Sequence, residues 1–245
     1  MTGLAVDEAA WSSAWRRRSP EDKALLCLGL VVCALVLPAW PGSVLVGLTA
    51  VVLALGAARV PARTFGRAVR WPLAFVAVGA LTAVVQVDGG GLGWAPDAAA
   101  RAGSLVGHAV AGSAAVLLLA TTTPMSDLLP ALRRLRVPAA VVEVASVVYR
   151  LLFVLLDSLD TIREAQTARM GYSSLRRSYR SSGALAAAVL TRSWDRARRL
   201  QEGLAGRGME TGLRVLPEVR PSSRLFLAAT AAGIAGIVAV SLVAS

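Results

Sequence analysis

The chain has 245 residues, of which 56% are hydrophobic and 17% charged, with a mean hydropathy of +0.61. Soluble domains are about half apolar and about one quarter charged, so this composition excludes an ordinary soluble enzyme, a disordered chain and a small disulfide scaffold. The net charge of +11 comes from 26 basic and 15 acidic residues, and Lys23 is the only lysine.

The apolar excess falls in stretches near ~20 residues, the length that crosses a bilayer. The sequence therefore reads as an all-α, multi-pass protein of the cell membrane. The arginines lie between these stretches, as they do in cytoplasmic loops under the positive-inside rule. Topology, rather than nucleic acid, accounts for the charge. A soluble partner is expected to be acidic where it docks.

The first apolar run, 24–37, follows Arg16-Arg17-Arg18 and lacks a small-x-small cleavage site, so it reads as an uncleaved helix. Cys27 and Cys33 inside it suggest small packing residues. After the turn Pro38-Ala39-Trp40-Pro41-Gly42 comes a second span, 43–58, and then a basic loop with Arg59, Arg63, Arg67 and Arg70. The third span is 71–87. Asp88-Gly89-Gly90-Gly91 follows as a flexible loop with Asp97 and Arg101. The fourth span, 102–121, leads to Arg133, Arg134 and Arg136. The alternation places the N-terminus and both basic loops inside.

Residues 137–160 are apolar but interrupted by Glu143, Arg150, Asp157 and Asp160, charges that are costly at the bilayer centre. The following stretch, 161–224, carries 13 arginines against five acids. Keeping it inside favours a helix at 137–160 that dips into or lies along the inner leaflet without crossing. The last span is 225–243. Five spans are expected, or six if 137–160 crosses. Gly103, Gly107 and Ala111, and Ala229 with Gly233, repeat every four residues as helix-contact stripes.

Two helical pieces stand out between the fourth and last spans. The first runs from 137 into Ala168-Arg169-Met170-Gly171-Tyr172. The second runs from Ala184 to Leu204 and stops at Gly206-Arg207-Gly208. On the second, Ala186, Val189, Leu190, Trp194, Ala197, Leu200 and Leu204 form one side. Arg192, Arg196 and Arg199 turn towards the other, with Asp195 placed to pair with Arg199. Each piece ends with an arginine beside small residues, which leaves the guanidinium open to an acidic groove. Spacing alone favours two ordinary helix ends whose cations suit the C-terminal dipole.

These residues resemble a family. Thr122-Thr123-Pro124-Met125-Ser126-Asp127-Leu128-Leu129-Pro130, running on to Arg136-Val137-Pro138, is similar to the loop after the early spans of energy-coupling factor (ECF) transporter T components. Tyr149-Arg150 with Phe153-Val154-Leu155-Leu156-Asp157 is similar to the helix that follows it. Thr167-Ala168-Arg169-Met170-Gly171-Tyr172 and Leu204-Ala205-Gly206-Arg207-Gly208-Met209 resemble the two short coupling motifs of the cobalt-type (CbiQ) branch. The resemblance is detailed over roughly 121–214 and only hydropathic before that. It departs at Met170, inserted between arginine and glycine, at Gly206, where alanine is usual, and at Met209, where an aromatic is common.

The resemblance implies a scaffold with three parts. These are a four-span bundle (1–121), a cytoplasmic or interfacial domain with a pair of long coupling helices (122–221), and a C-terminal transmembrane helix (222–245). It implies Arg169 and Arg207 as the coupling arginines, with Ala168, Gly171, Gly206 and Gly208 as their small neighbours. The implied partners are two copies of a cytoplasmic ABC-type ATPase, a substrate-binding membrane S subunit, and lipid. The implied cargo is cobalt ion feeding cobalamin synthesis, with nickel or a vitamin as alternatives.

No catalytic residue, metal site or cofactor is expected. The chain lacks a Gly-x-x-x-x-Gly-Lys-Ser/Thr loop, so it cannot itself hydrolyse ATP by that route. His108 stands alone in the fourth span and reads as a hydrogen-bonding residue. Glu143, Arg150, Asp157 and Asp160 could form a proton relay in a secondary transporter. Glu143, Asp157 and Asp160 could equally serve as acids in a membrane enzyme. An interfacial helix with its charges facing the cytosol or pairing with Arg133–Arg136 explains the same charges. Tyr172, Arg176, Arg177, Tyr179 and Arg180 suit anionic headgroups.

Overall fold

The computed structural model describes residues 2–88, 91–94, 98–208 and 220–244. Its helices are α1 (Thr2–Ser12), α2 (Pro20–Val36), α3 (Val44–Val52), α4 (Ala62–Val84), α5 (Ala98–Thr122), α6 (Met125–Leu132), α7 (Ala139–Ala168), α8 (Leu175–Ala205) and α9 (Arg224–Val243). The class is all-α, with one short antiparallel hairpin among the described residues, β1 (Val85–Asp88) with β2 (Gly91–Trp94). The chain divides into two compact units. One comprises Met1–Leu128 with Glu218–Ser245, and the other comprises Leu129–Pro217.

In the first unit, α2 starts where the sequence favours a start. Pro20 sits in the first turn and Glu21 and Asp22 complement the helix dipole. Its buried side repeats at helical spacing through Leu26, Cys27, Leu30, Cys33 and Ala34. The buried face of α5 is small, with Ala111, Ala114 and Ala115 before Leu118, Thr121 and Thr122. In lipid, association depends on such close approach. A Cβ on Gly107 would lie 2.7 Å from Ser43 Oγ, and one on Gly29 would collide with the Ile234 side chain of α9. Gly103 and Gly233 face open space, so the expected stripes are only half used within the chain. His108 joins α5 to the end of α2. Its Nδ1 lies 2.6 Å from the Ser104 carbonyl and its Nε2 3.1 Å from the Leu37 carbonyl.

Four helical stretches are long and apolar enough to cross a membrane: Ala39–Ala57, Ala98–Thr122, Ala139–Ala168 and Arg224–Val243. Three match the expected spans 43–58, 102–121 and 225–243. The expected span 24–37 sits in α2, whose 17 residues fall short of the ~20 that cross comfortably. The expected span 71–87 ends early. Helix α4 begins in the basic loop and carries Arg63, Arg67 and Arg70, then gives way at Val85 to the hairpin. The hairpin replaces the flexible loop expected from Asp88 to Gly91, because Val85↔Trp94 and Val87↔Leu92 pair across it. Gly89, Gly90 and Asp97 lie outside the described residues. Helix α7 has the length and composition of a span, although the charge pattern argued for the leaflet surface.

The second unit is built on α7 and α8, two helices of 30 and 31 residues. Val142 is the only buried residue of α7, and α8 has none. Helix α8 begins at Leu175, nine residues earlier than the apolar pattern suggested. Ser174 takes extended geometry and caps it through the Arg177 amide at 3.4 Å.

Candidate functional site

The first motif arginine sits on a closed turn. At the end of α7 the Gly171 amide donates to the Gln166 carbonyl (2.8 Å) and the Met170 amide to the Thr167 carbonyl (2.9 Å). This six-to-one and five-to-two pair is a Schellman cap, which needs a left-handed residue at its centre. Met170 takes that geometry at φ 59°, so the residue that departs from the family pattern is the one that turns the chain. Gly171 is needed for space. A Cβ there would lie 2.7 Å from Ser181 Oγ and 2.8 Å from the Gln166 carbonyl oxygen.

A knot of side chains then ties this turn to α8. Tyr172 Oη donates to Gln166 Oε1 (2.7 Å), Gln166 Nε2 to the Ser181 carbonyl (3.1 Å), and Ser181 Oγ to the Gly171 carbonyl (2.9 Å). Ala168, Arg169 and Met170 remain exposed outside the knot. Sequence reading had offered Tyr172 to lipid headgroups. The structure spends its hydroxyl inside the turn and occupies Arg177 with Ser173 Oγ (2.8 Å).

The second motif caps α8. Gly206 stays helical (φ −63°, ψ −17°), and Gly208 turns left-handed at φ 66°. Amides of Gly206, Arg207 and Gly208 return to the carbonyls of Glu202, Leu204 and Ala205 at 3.0, 3.1 and 3.0 Å. All three motif residues are exposed. A helix of 31 residues is about 46 Å long. Arg169 and Arg207 therefore stand at opposite ends of α8 and cannot share one small ligand.

The sides of α8 differ from the expected pattern. Leu190 and Trp194 are 70% and 74% exposed, whereas Val189, Leu200 and Leu204 are half-buried. Arg196 and Arg199 do not point away from the apolar side. They line a groove with Arg150, Val147, Leu151 and Val154 of α7. The expected Asp195–Arg199 pair is not formed among the described residues. One turn on, Arg198 holds Glu202 at 3.0 Å.

Glu143 pairs with Arg133 at 3.6 Å. The relay residues do not converge. Glu143 and Asp157 are separated by nearly four turns of one helix, roughly 20 Å. No cluster of three metal-ligating side chains occurs among the described residues.

One cluster in the first unit was not foreseen. Arg220 Nη1 reaches Asp127 Oδ2 at 2.7 Å and the Arg16 carbonyl at 2.5 Å. Lys23, fully buried, donates through Nζ to the Thr122 carbonyl at 2.9 Å, and Asp22 accepts the Ser223 amide at 2.9 Å. These residues join α2, the α5–α6 junction and the approach to α9. The sequence signal available was Lys23 itself, a lone lysine beside an apolar run. Its partners are about a hundred residues away.

The family model described as cobalt transport protein (CbiQ) matches residues 12–217. The cobalt transport protein CbiQ of Rhodobacter capsulatus is 40% identical over 223 residues, covering 91% of each chain. That of Salmonella typhimurium is 31% identical over 208 residues, 78% of this chain and 90% of the relative. A chain from Methanocorpusculum labreanum described as a fused cobalt transport protein CbiMQ is 25% identical over 226 residues, 87% of this chain and 37% of its own. The match spans both helix ends that carry the motif arginines. The chain belongs to the CbiQ family of cobalt transport proteins, multi-pass proteins of the cell membrane.

Proposed function

We propose that the chain is the non-catalytic transmembrane coupling subunit of an ATP-driven ECF-type importer for cobalt. One observation carries this reading. Two exposed arginines stand on well-capped helix ends at the two ends of α8, a helix about 46 Å long. A guanidinium on a fixed turn can make bidentate bonds to carboxylates or helix-end carbonyls of a docked protein. Two such points at this separation suit two copies of one motor subunit, each taking one helix end. Long helices with almost no buried residues suit a subunit whose apolar sides are completed by others.

The chain has no P-loop, so the motor is borrowed. Closure of the two ATPases on nucleotide draws Arg169 and Arg207, and the coupling helices bias the membrane part between two states. The names of the relatives support cobalt as cargo. The fused CbiMQ relative supports a second transport component beside this one, which would hold the cargo.

Co-purification from native membrane tests the assignment. An ABC-type ATPase and a small membrane subunit should travel with the wild-type chain. A chain that moves cobalt into vesicles alone, without ATP, would instead be a secondary transporter.

A further inference from the structure

Arg150 of α7 and Arg196 and Arg199 of α8 line one groove of about 320 Å³, walled by Val147, Leu151, Val154 and Leu200. No carboxylate is among its described lining residues. Nor does helical spacing supply one to two of these arginines. The residues three and four away from Arg150 are Ser146, Val147, Phe153 and Val154; those around Arg196 are Arg192, Ser193, Arg199 and Leu200. Arg199 has Asp195 and Glu202 in reach by spacing, but no Asp195 pair forms among the described residues and Glu202 is held by Arg198. Three like charges thus share one concave, half-apolar place, an arrangement that favours an anionic occupant.

We infer that this groove seats the phosphate of an acidic phospholipid, with the guanidiniums on the headgroup and the aliphatic wall against the glycerol and upper acyl chain. The volume is at the lower end of small-ligand sites and admits a headgroup rather than a protein segment. Three of the four wall residues belong to α7, a helix long and apolar enough to cross a membrane. Guanidinium forks bind phosphate oxygens in pairs. A phosphate here puts Arg150 at the headgroup level, which accords with α7 lying along the leaflet instead of crossing it. The inference stands apart from the coupling role, because it needs no ATPase.

The test is native mass spectrometry of the full chain in detergent, titrated with phosphatidylglycerol or phosphatidylcholine. Its comparison variants are Arg150→Gln/Arg196→Gln/Arg199→Gln and, as a charge-matched control, the exposed Arg63→Gln/Arg101→Gln/Arg163→Gln. The wild type should retain phosphatidylglycerol over phosphatidylcholine. The groove variant should lose at least about tenfold in that affinity while the control keeps it. Equal loss in both variants, or equal retention of the two lipids by wild type, would overturn the site. So would displacement of the lipid by millimolar inorganic phosphate, or lost ATPase docking with lipid retention unchanged. Should the triple variant not fold, exposed Arg196→Gln alone gives the same comparison.

Discussion

Arg220→Ala removes the guanidinium that holds Asp127 at 2.7 Å and the Arg16 carbonyl at 2.5 Å. The two side chains are only 10% and 16% exposed, so the substitution leaves a nearly buried carboxylate without its cation. Removing one partner of a buried pair costs about 3–5 kcal/mol. The remaining exposure places this pair near the low end, about 3 kcal/mol. For a chain of this size each kcal/mol moves the midpoint by about 2–4 °C, so thermal unfolding in detergent should fall by about 6–12 °C. Asp127→Leu/Arg220→Met should recover part of that loss, because it leaves no unpaired Asp127 carboxylate, while the Arg16 carbonyl still lacks its donor and buried Lys23 loses the carboxylate near it. The position also matters. Asp127 lies one residue before the first unit's first segment ends at Leu128, and Arg220 lies two residues after it resumes at Glu218. The pair clasps the two places where the chain leaves and rejoins that unit. A midpoint shift for Arg220→Ala no larger than that of exposed Arg224→Ala would refute the reasoning.

Lys23→Ala should destabilise the chain by about 2 kcal/mol in the same assay, because the buried Thr122 carbonyl loses its donor. Gly171→Ala should open the turn between α7 and α8, since the Gln166 carbonyl stands 2.8 Å from the new carbon; hydrogen exchange across 166–181 should accelerate with the rest of the chain unchanged. Glu143→Gln, with Asp157→Asn and Asp160→Asn, should leave ATP-driven cobalt uptake within about twofold of wild type; a loss of 10²-fold or more, the scale of a removed acid–base group, would restore the relay.

The class of fold was legible because apolar runs of membrane length cannot be disguised, and 43–58, 102–121 and 225–243 appear as expected. The boundaries at 71–87 were not. Arginine is a good helix former, so α4 runs through the basic loop, and the alternation Val85, Val87 against Leu92, Trp94 is too short to stand out from an apolar helix. The start of α8 was hidden because Ser181-Ser182-Gly183 looks like a break, whereas the cap is Ser174. Arg169 and Arg207 stand out by the resemblance of their surroundings to the family's coupling motifs, since spacing alone favours ordinary helix ends. The knot of Gln166, Tyr172 and Ser181 that fixes the first of them could not be read, since each of its bonds joins residues that only folding brings together. The Lys23 and Arg220 contacts span 99 and 93 residues of sequence and leave no local pattern.

Charge reversal at both helix ends addresses the coupling role most directly. Arg169→Glu/Arg207→Glu, reconstituted with its ATPase and membrane partner in proteoliposomes, should insert normally yet lose ATP-driven cobalt uptake together with recovery of the ATPase on the purified complex. Wild-type uptake by that double variant would mean that the arginines are ordinary helix ends.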